Sequence, residues 1–320
     1  MAGTITPEQA GRGRNASAAG ARRVETLGSQ RRREARAAYF YLLPTLVGFV
    51  LFVAGPLIAS IWLSFNDYDV MSPPRSAGFD NYAELFQDER VLISFRNTAA
   101  FVIASTGLEL TLALLLAIGV QRRMPSPLRY AFRTAFFLPV ITSAAAISII
   151  FSYMFSKEFG VINYYLTKTG LEQVPWLTST RWSLVTIVLA AVWQRLGFTF
   201  ILFVAGLQNI PRDLYEAAEI DGVTGWTKLW TITIPLLSPT ILFAAVIGVI
   251  GSLQVFDQPY IMTRGGPGDS SRTVVMLIQE SAFQNFRFGY GSAIAVILFL
   301  VIMLMTLLQF WLSRRWVHYR

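Results

Sequence analysis

Six long apolar stretches fix the class of fold open to this chain. They run near residues 38–66, 98–120, 131–155, 183–208, 239–262 and 291–313. A helix needs roughly 20 mostly apolar residues to cross the hydrocarbon core of a bilayer, and each stretch has that length. Only 14% of the 320 residues are charged, whereas a soluble domain has about 25%. The sequence therefore predicts an all-α membrane protein with six transmembrane helices.

Arginines mark one side of these predicted spans. Residues 1–37 contain eight arginines and three glutamates, 121–130 add three arginines, and 314–320 add three more. The segment 67–97 instead holds six acidic residues and three arginines. Because positive charge close to a span marks the cytoplasmic side, we predict a multi-pass protein of the cytoplasmic (inner) membrane with both termini in the cytoplasm. Six spans is the even number that this requires.

The first 37 residues differ in composition from the rest of the chain. Residues 1–37 are rich in Gly, Ala, Ser and Arg and have little to bury, which predicts a disordered basic cytoplasmic tail before a six-span domain at 38–320. A tail that binds a partner is the alternative. A net charge of +8 also suits nucleic-acid binding, but topology and anionic headgroups explain arginines at membrane boundaries. We expect membrane lipid as a partner and no nucleic acid.

Several kinds of chemistry are excluded by what the chain lacks. It has no cysteine and a single histidine, His318, so the usual zinc ligand sets cannot be assembled. The three lysines (Lys157, Lys168 and Lys228) all lack the preceding glycine of a phosphate-binding loop. No Ser or Asp nucleophile stands beside a base, as an intramembrane hydrolase would need. We predict a protein that is not an enzyme and binds no cofactor, so any ATP must be bound by another chain.

A short polar helix is predicted between the fourth and fifth spans, at about 213–222 in "DLYEAAEIDG". Pro211 ends the preceding helix, and Asp213 is expected to cap the new one by accepting from the free amides of its first turn. Glu216 is expected in that turn, where the helix dipole favours a carboxylate. Gly222 is expected to end the helix as a C-cap.

One face of this helix is small and acidic. At helical spacing it would present Leu214, Ala217, Ala218 and Asp221. A helix that lies on lipid headgroups would instead carry Lys, Arg and large apolar residues. Docking into a protein partner is therefore the better interpretation.

The same segment carries a family resemblance. Glu216-Ala217-Ala218, then Gly222 after three residues, then Ile232-Thr233-Ile234-Pro235 after nine, resembles the cytoplasmic signature of permease subunits in binding-protein-dependent ABC importers. Ile234 departs from the leucine of that pattern. In that family the helix is a coupling helix that sits in a cleft of the ATPase subunit. The resemblance implies an ATPase-coupling set of Leu214, Tyr215, Glu216, Ala217, Ala218, Asp221 and Gly222.

Longer stretches resemble a subfamily. "GLQNIPRDLYEAAEIDG" (206–222), "SLQVFDQPYIMTRGGPG" (252–268) and the segment 288–319 are similar to carbohydrate-importer permeases, in particular to the first of two unlike subunits of the glycerol-phosphate and disaccharide type. The resemblance covers roughly 38–320 and implies type I ABC importer architecture. It also implies several partners: a second homologous permease, two ATP-binding subunits that hold ATP and Mg, and an extracytoplasmic solute-binding protein. Whether the ATPase subunits are of one kind or two is left open.

The outer loop after the fifth span contains a Gly-Gly-Pro turn at 265–267, followed by a predicted amphipathic helix at 273–286. Its apolar side would comprise Val274, Leu277, Ile278 and Phe286. An interfacial helix is the local interpretation, and the resemblance adds that this surface would receive the binding protein.

Charged residues inside the spans indicate a cavity or a partner, since a charge at the bilayer centre costs about 2.5–3.5 kcal/mol. Arg195 lies in the middle of the fourth span, Glu109 midway along the second and Asp257 in the outer half of the fifth. Sugars are bound by planar polar side chains and by aromatic rings. The predicted substrate path comprises Trp193, Gln194, Arg195 and Phe198 of the fourth span and Gln254, Asp257 and Gln258, which would share one helical face of the fifth.

The alternative for Arg195 is a structural ion pair with Asp257 or Glu109, which a role in the path does not exclude. Glu109 is expected to be structural. An arginine also suits a phosphate or an acidic sugar, so the sugar is left open. Among other classes of function, a secondary transporter driven by an ion gradient should show internal repeats, and the two halves of the chain show no convincing repeat.

Overall fold

The computed structural model describes residues 27–121, 125–223 and 225–318, and these divide into two units between Ala59 and Ser60. The first helix, α1, spans Leu27–Phe49 and continues through a π-helical turn at Val50–Ala54 into α2, Gly55–Leu63. Residues 27–37, predicted as part of a disordered tail, are therefore helical. The rest of that predicted tail, 1–26, lies outside the described residues.

Among the described residues, the second unit consists of helices, their connecting loops and one small β-hairpin. Strands β1 (Asn66–Asp67) and β2 (Arg75–Ser76) pair antiparallel, with Asn66 opposite Ser76. The helices that follow are α3 Asp80–Gln87, α4 Glu89–Gln121, α5 Ser126–Phe137, α6 Ala144–Met154, α7 Val161–Lys168, α8 Ser183–Gln208, α9 Arg212–Ile220, α10 Gly225–Lys228, α11 Ile234–Leu253, α12 Asp257–Met262, α13 Val274–Gln279 and α14 Phe288–Ser313.

Five of the six predicted spans lie in segments of sufficient length and apolarity to cross a membrane, and the remaining one is a sharply bent pair of helices. The predicted third span, 131–155, consists of two segments, Tyr130–Ile141 and Ala144–Met154, that meet at 102°. Pro139 lies in a 3₁₀ turn at Leu138–Ile141, after which Thr142 is extended. Because proline cannot donate the helical hydrogen bond, the α-helix ends there. The predicted third span is therefore a bent pair of helices, and this bend was not predicted.

The core is built on the packing of α4 against α8, with α11 alongside. Ala113 and Ala117 of α4 are fully buried against Phe200 and Phe203 of α8 and Leu237 of α11. Small residues one turn apart let helix backbones approach closely in a membrane, where no hydrophobic effect drives helices together. This packing brings the polar residues in the middle of α4 and α8 next to each other.

The predicted fifth span is also interrupted. Helix α11 ends at Leu253, residues 254–256 are irregular, and α12 begins at Asp257. Pro259 has no amide hydrogen and is tolerated only in the first turn of a helix, which it occupies in α12. The prediction that Gln254 and Asp257 share one face of a continuous helix was therefore wrong, although both reach the same cavity.

The predicted outer helix exists as α13 and a π-helical turn at Glu280–Gln284. Val274 and Leu277 are buried against Tyr290 and Ile294 of α14, so this side of α13 packs on the protein. Ile278 is partly buried against the same cluster. Phe286 is 49% exposed and lies beyond the helix with a φ of 55°, so its placement on the apolar side was wrong.

Ion pairs hold this outer loop to the start of α4. Arg90 contacts Asp269 at 3.2 Å and Glu280 at 2.9 Å, and Arg272 contacts both of the same carboxylates. Burial acts to raise the pKa of Asp269, but the hydrogen bonds and charges of Arg272 and Arg90 hold this pKa below its ordinary value. Asn97 of α4 also donates to the carbonyl oxygen of Asp269 at 2.7 Å. The loop is therefore fixed to the helix bundle by charge as well as by packing.

The close approach of α5 to α8 yields a stability prediction. A Cβ added at Gly197 would lie 1.8 Å from the carbonyl oxygen of Phe136, whereas one added at Gly107 meets no heavy atom of the described residues within 4 Å. Both Gly→Ala changes gain helix propensity of about 1 kcal/mol, but only Gly197→Ala forces a backbone shift, typically costing about 1–3 kcal/mol. We expect Gly197→Ala to unfold in detergent at a lower temperature than Gly107→Ala. Equal midpoints would contradict this packing.

Candidate functional site

A cavity of about 380 Å³ opens between α4, α8, α11 and α12 and the bend of the broken third span. Its apolar walls include Val140 and Ala144 from that bend and Phe198 of α8. Its polar lining consists of Glu109, Gln194, Arg195, Thr199, Gln254, Asp257 and Gln258. A mostly apolar pocket with a few converging polar groups is the usual form of a small-molecule site.

Arg195 and Glu109 form the ionic centre of this cavity. Arg195 Nε lies 3.5 Å from Glu109 Oε2, and Glu109 is only 4% exposed. Thr199 Oγ1 donates to Glu109 Oε1 at 2.6 Å, and Arg195 Nη2 donates to Ser252 Oγ at 2.9 Å. Of the two pairs that the sequence left open, the structure contains Arg195–Glu109 and not Arg195–Asp257. Arg195 lines the cavity as well, so its role in the substrate path stays a prediction beside the ion pair.

Two amides tie the cavity walls together. Gln258 Nε2 donates to Gln194 Oε1 at 2.9 Å, and Gln194 Nε2 donates to the carbonyl oxygen of Thr142 at 3.2 Å. Thr142 is the residue at the bend, so this chain of hydrogen bonds joins α12, α8 and the broken span. Gln194 and Gln258 are both buried. They therefore position the walls, while Gln254 and Asp257 are the exposed polar side chains of the cavity.

One predicted path residue lies elsewhere. The Trp193 ring contacts the Phe151 ring at 5.4 Å between centroids, and Trp193 is not among the residues that line the cavity. Glu109 was expected to be structural and has such a role in the ion pair with Arg195, but it also lines the cavity. Thr199 was not predicted at all. A threonine in a span carries little signal, because its hydroxyl is usually satisfied by the preceding helical turn. Val140 and Ala144 were missed because the bend was not predicted.

The predicted short helix is present as α9, Arg212–Ile220, with Pro211 at the N-cap position. Asp213 lies inside the first turn and makes no capping hydrogen bond, so its predicted role as the cap was wrong. Its charge still lies in the first turn, where the helix dipole favours a carboxylate. Glu216, expected in the first turn, lies one turn further along.

The end of α9 confirms the predicted glycine cap. Gly222 has a φ of +74°, a conformation that side-chain-bearing residues rarely adopt. The amide of Gly222 donates to the Glu219 carbonyl oxygen at 3.1 Å, and that of Val223 donates to the Ala218 carbonyl oxygen at 2.8 Å. This pair of bonds is the Schellman motif, which sets the direction in which the chain leaves α9.

The faces of α9 differ from those inferred from spacing. Ala218 is buried and Leu214 and Tyr215 are half-buried within this chain, so they do not form an open docking face. Tyr215 Oη lies 3.2 Å from Thr233 Oγ1, which anchors α9 to the π-helical turn at Leu229–Thr233. The exposed residues of the helix and its cap include Glu216, Ala217, Ile220, Asp221 and Gly222.

An apolar helical bundle with a polar cavity is the architecture expected of a membrane transport component. A sequence profile described as "Binding-protein-dependent transport system inner membrane component" matches residues 109–318. The chain belongs to this family. It is therefore a multi-pass membrane protein and a permease subunit of an ABC importer, as the resemblance in the sequence predicted.

Individual relatives agree over almost the whole chain. The chain is similar to the probable ABC transporter permease protein YesP of Bacillus subtilis, with 35% identity over 90% of this chain and 94% of the relative. The lactose transport system permease protein LacF of Rhizobium radiobacter is 34% identical over 86% of this chain and 93% of its own. A crystal structure of a bacterial ABC transporter that imports alginate superposes with a TM-score of 0.78 at 26% identity, covering 88% and 96% of the two chains. The type I importer architecture is confirmed, and a secondary transporter is not favoured.

The Arg195–Glu109 pair yields a prediction on stability. Arg195→Ala leaves the Glu109 carboxylate buried without its counter-charge, and breaking a buried pair in this way costs about 3–5 kcal/mol. Gln254→Ala removes a side chain that is exposed to the cavity and is the matched control. We expect the first variant to lower the unfolding midpoint of the purified protein strongly and the second to leave it unchanged. Similar midpoints for both would show that the pair does not hold the bundle.

Proposed function

We propose that this chain forms half of the path of an ATP-driven importer for a sugar or sugar derivative delivered by an external binding protein. The observation that carries the proposal is the cavity, where guanidinium, carboxylate and amide groups converge beside the Phe198 ring inside an apolar bundle. Hydroxyl groups hydrogen-bond to such polar groups, and an aromatic ring packs on the apolar face of a sugar. Relatives named for lactose, trehalose/maltose and sulfoquinovosyl glycerol support this solute class.

The energy for transport comes, in this proposal, from partner chains. The 320-residue sequence contains no phosphate-binding loop, so in this proposal two ATPase subunits bind ATP and Mg. A second, homologous permease completes the path, and a solute-binding protein meets the outer face. A solved relative, the alginate ABC transporter in complex with a pentasaccharide-bound periplasmic protein, supports that last partner. Both termini and α9 lie on the cytoplasmic side, as the arginine distribution predicts.

Helix α9 is the coupling element of the proposal, with Glu216, Ala217, Asp221 and Gly222 facing the ATPase cleft. The buried side of α9, with Leu214, Tyr215 and Ala218, connects it to this chain's own helices. The Tyr215–Thr233 contact at 3.2 Å leads into α11, and α11 ends at the cavity. A displacement of α9 is thus passed along one helix to the polar lining.

Gly222 provides the test of coupling. Replacing it by leucine places a side chain at φ +74°, which strains the Schellman turn by about 1–3 kcal/mol and tilts α9. We expect Gly222→Leu to retain ATPase activity in the assembled importer but to lose most ATP-driven uptake. Gly170→Leu is the matched control, because Gly170 has a φ of +83° in the loop after α7 and, like Gly222, no heavy atom of the described residues near its added Cβ. Normal uptake per ATP in Gly222→Leu would contradict the docking role of α9.

Reconstitution tests the function as a whole. The purified chain alone should neither bind nor hydrolyse ATP. In proteoliposomes with its companion permease, ATPase subunits and binding protein, sugar-loaded binding protein should stimulate ATP hydrolysis and drive solute inward. Uptake driven by a proton or sodium gradient without ATP would overturn the proposal in favour of a secondary transporter.

A further inference from the structure

The charges that line the cavity do not favour an anion. Three lining residues carry a formal charge: Arg195 is positive, and Glu109 and Asp257 are negative. Their sum in this chain is one negative charge. Arginine is the residue type suited to bind phosphate or carboxylate, so the state of Arg195 decides whether the cavity takes acidic solutes.

Arg195 is already engaged by a carboxylate. Its Nε lies 3.5 Å from Glu109 Oε2, and its Nη2 donates to Ser252 Oγ at 2.9 Å. An anionic solute that took over the guanidinium would compete with Glu109, which is 4% exposed. A buried carboxylate that loses its counter-charge is strongly destabilised. Like-charge repulsion from Asp257, exposed in the same cavity, adds to that cost.

The hydrogen-bonding groups also distinguish hydroxyls from anions. An ionised carboxylate only accepts hydrogen bonds, whereas a hydroxyl both donates and accepts. The carboxylate of Asp257 is exposed and supplies two acceptor oxygens to the cavity. A hydroxyl group of a neutral sugar can donate to these oxygens, whereas an ionised carboxylate or phosphate group in its place cannot.

We infer that the cavity selects uncharged polyhydroxylated solutes over their acidic counterparts, and that Glu109 and Asp257 are the residues that set this selectivity. The inference rests on the proposed function. The relatives leave the choice open, because one is named for lactose and another for sn-glycerol-3-phosphate.

The test uses matched solutes on the assembled permease and ATPase complex in detergent without the binding protein, whose own selectivity would otherwise dominate. The probes are radiolabelled neutral disaccharides, including lactose and maltose, each paired with the disaccharide in which one primary alcohol is oxidised to a carboxylate. Equilibrium dialysis gives the affinity ratio within each pair. We expect wild type to prefer the neutral member by about tenfold or more, a difference of about 1.4 kcal/mol.

Substitutions then assign the selectivity. Asp257→Asn removes the exposed charge without disturbing any hydrogen bond among the described residues, and it should shift the ratio about tenfold towards the acidic member. Glu109→Gln removes the counter-charge of Arg195 and should shift the affinity ratio further towards the acidic member. Because it also breaks the buried ion pair, we expect a lower yield of folded protein. Glu172→Gln changes an exposed acid outside the cavity and should leave the ratio as in wild type.

The outcomes separate the inference from the function on which it rests. Two results would overturn the selectivity and leave the proposed sugar import unaffected. In one, wild type binds the acidic members as well as or better than the neutral ones. In the other, Asp257→Asn has the same affinity ratio as wild type. A complex that binds no disaccharide of either kind, and shows no ATP-driven sugar uptake with its binding protein, would overturn the proposed function itself.

Discussion

The buried contact between Glu109 of α4 and Arg195 of α8 is the interaction on which the rest of the structure depends. Neither charge is stable alone at this depth, so the two helices must stay in register to within a side chain. The small residues Ala113 and Ala117 allow that register by letting the backbones approach. The cavity lies beside this ion pair, because the apolar side chains that fill the rest of the α4–α8 interface cannot pack closely around two charged groups.

The spans were predictable because length and apolarity decide membrane insertion largely without tertiary contacts. The interruptions of these spans could not be predicted. A proline in a span kinks a helix, breaks it or leaves it intact, depending on whether neighbouring groups can satisfy the backbone hydrogen-bonding groups that it frees. Pro139 and Pro259 were the visible signals. At the first, the chain turns through 102°. At the second, α11 stops and a new helix starts at Asp257, so residues expected on one helical face converge from two segments.

In the candidate site, too, some residues could be predicted from the sequence and others could not. Arg195 and Asp257 stood out because charge within a span is expensive, and both line the cavity. Trp193 was also predicted to line the path, but it does not line the cavity. An aromatic side chain in a span suits lipid and helix contacts as well as a sugar, so its type alone does not identify its surroundings. One residue of displacement rotates a side chain by about 100° around a helix, so the neighbours Trp193 and Gln194 point to different surroundings. For α9, spacing identified a face but not its partner, and Ala218 proved to be covered by this chain.

The route between α9 and the cavity is set by positions where helices touch closely. Beyond the Tyr215–Thr233 contact, α11 passes α4 at Gly248, where an added Cβ would lie 3.1 Å from Thr106, and then Arg195 at Gly251, where the distance to Nη1 would be 3.4 Å. Glycine at these places lets α11 lie close to Thr106 and beside the Arg195 guanidinium, so a shift of α11 would change both contacts. Since Arg195 also bonds Ser252, a shift of α11 acts on the ion pair directly. The geometry that stabilises the bundle is therefore also the geometry through which a motion at α9 would reach the solute.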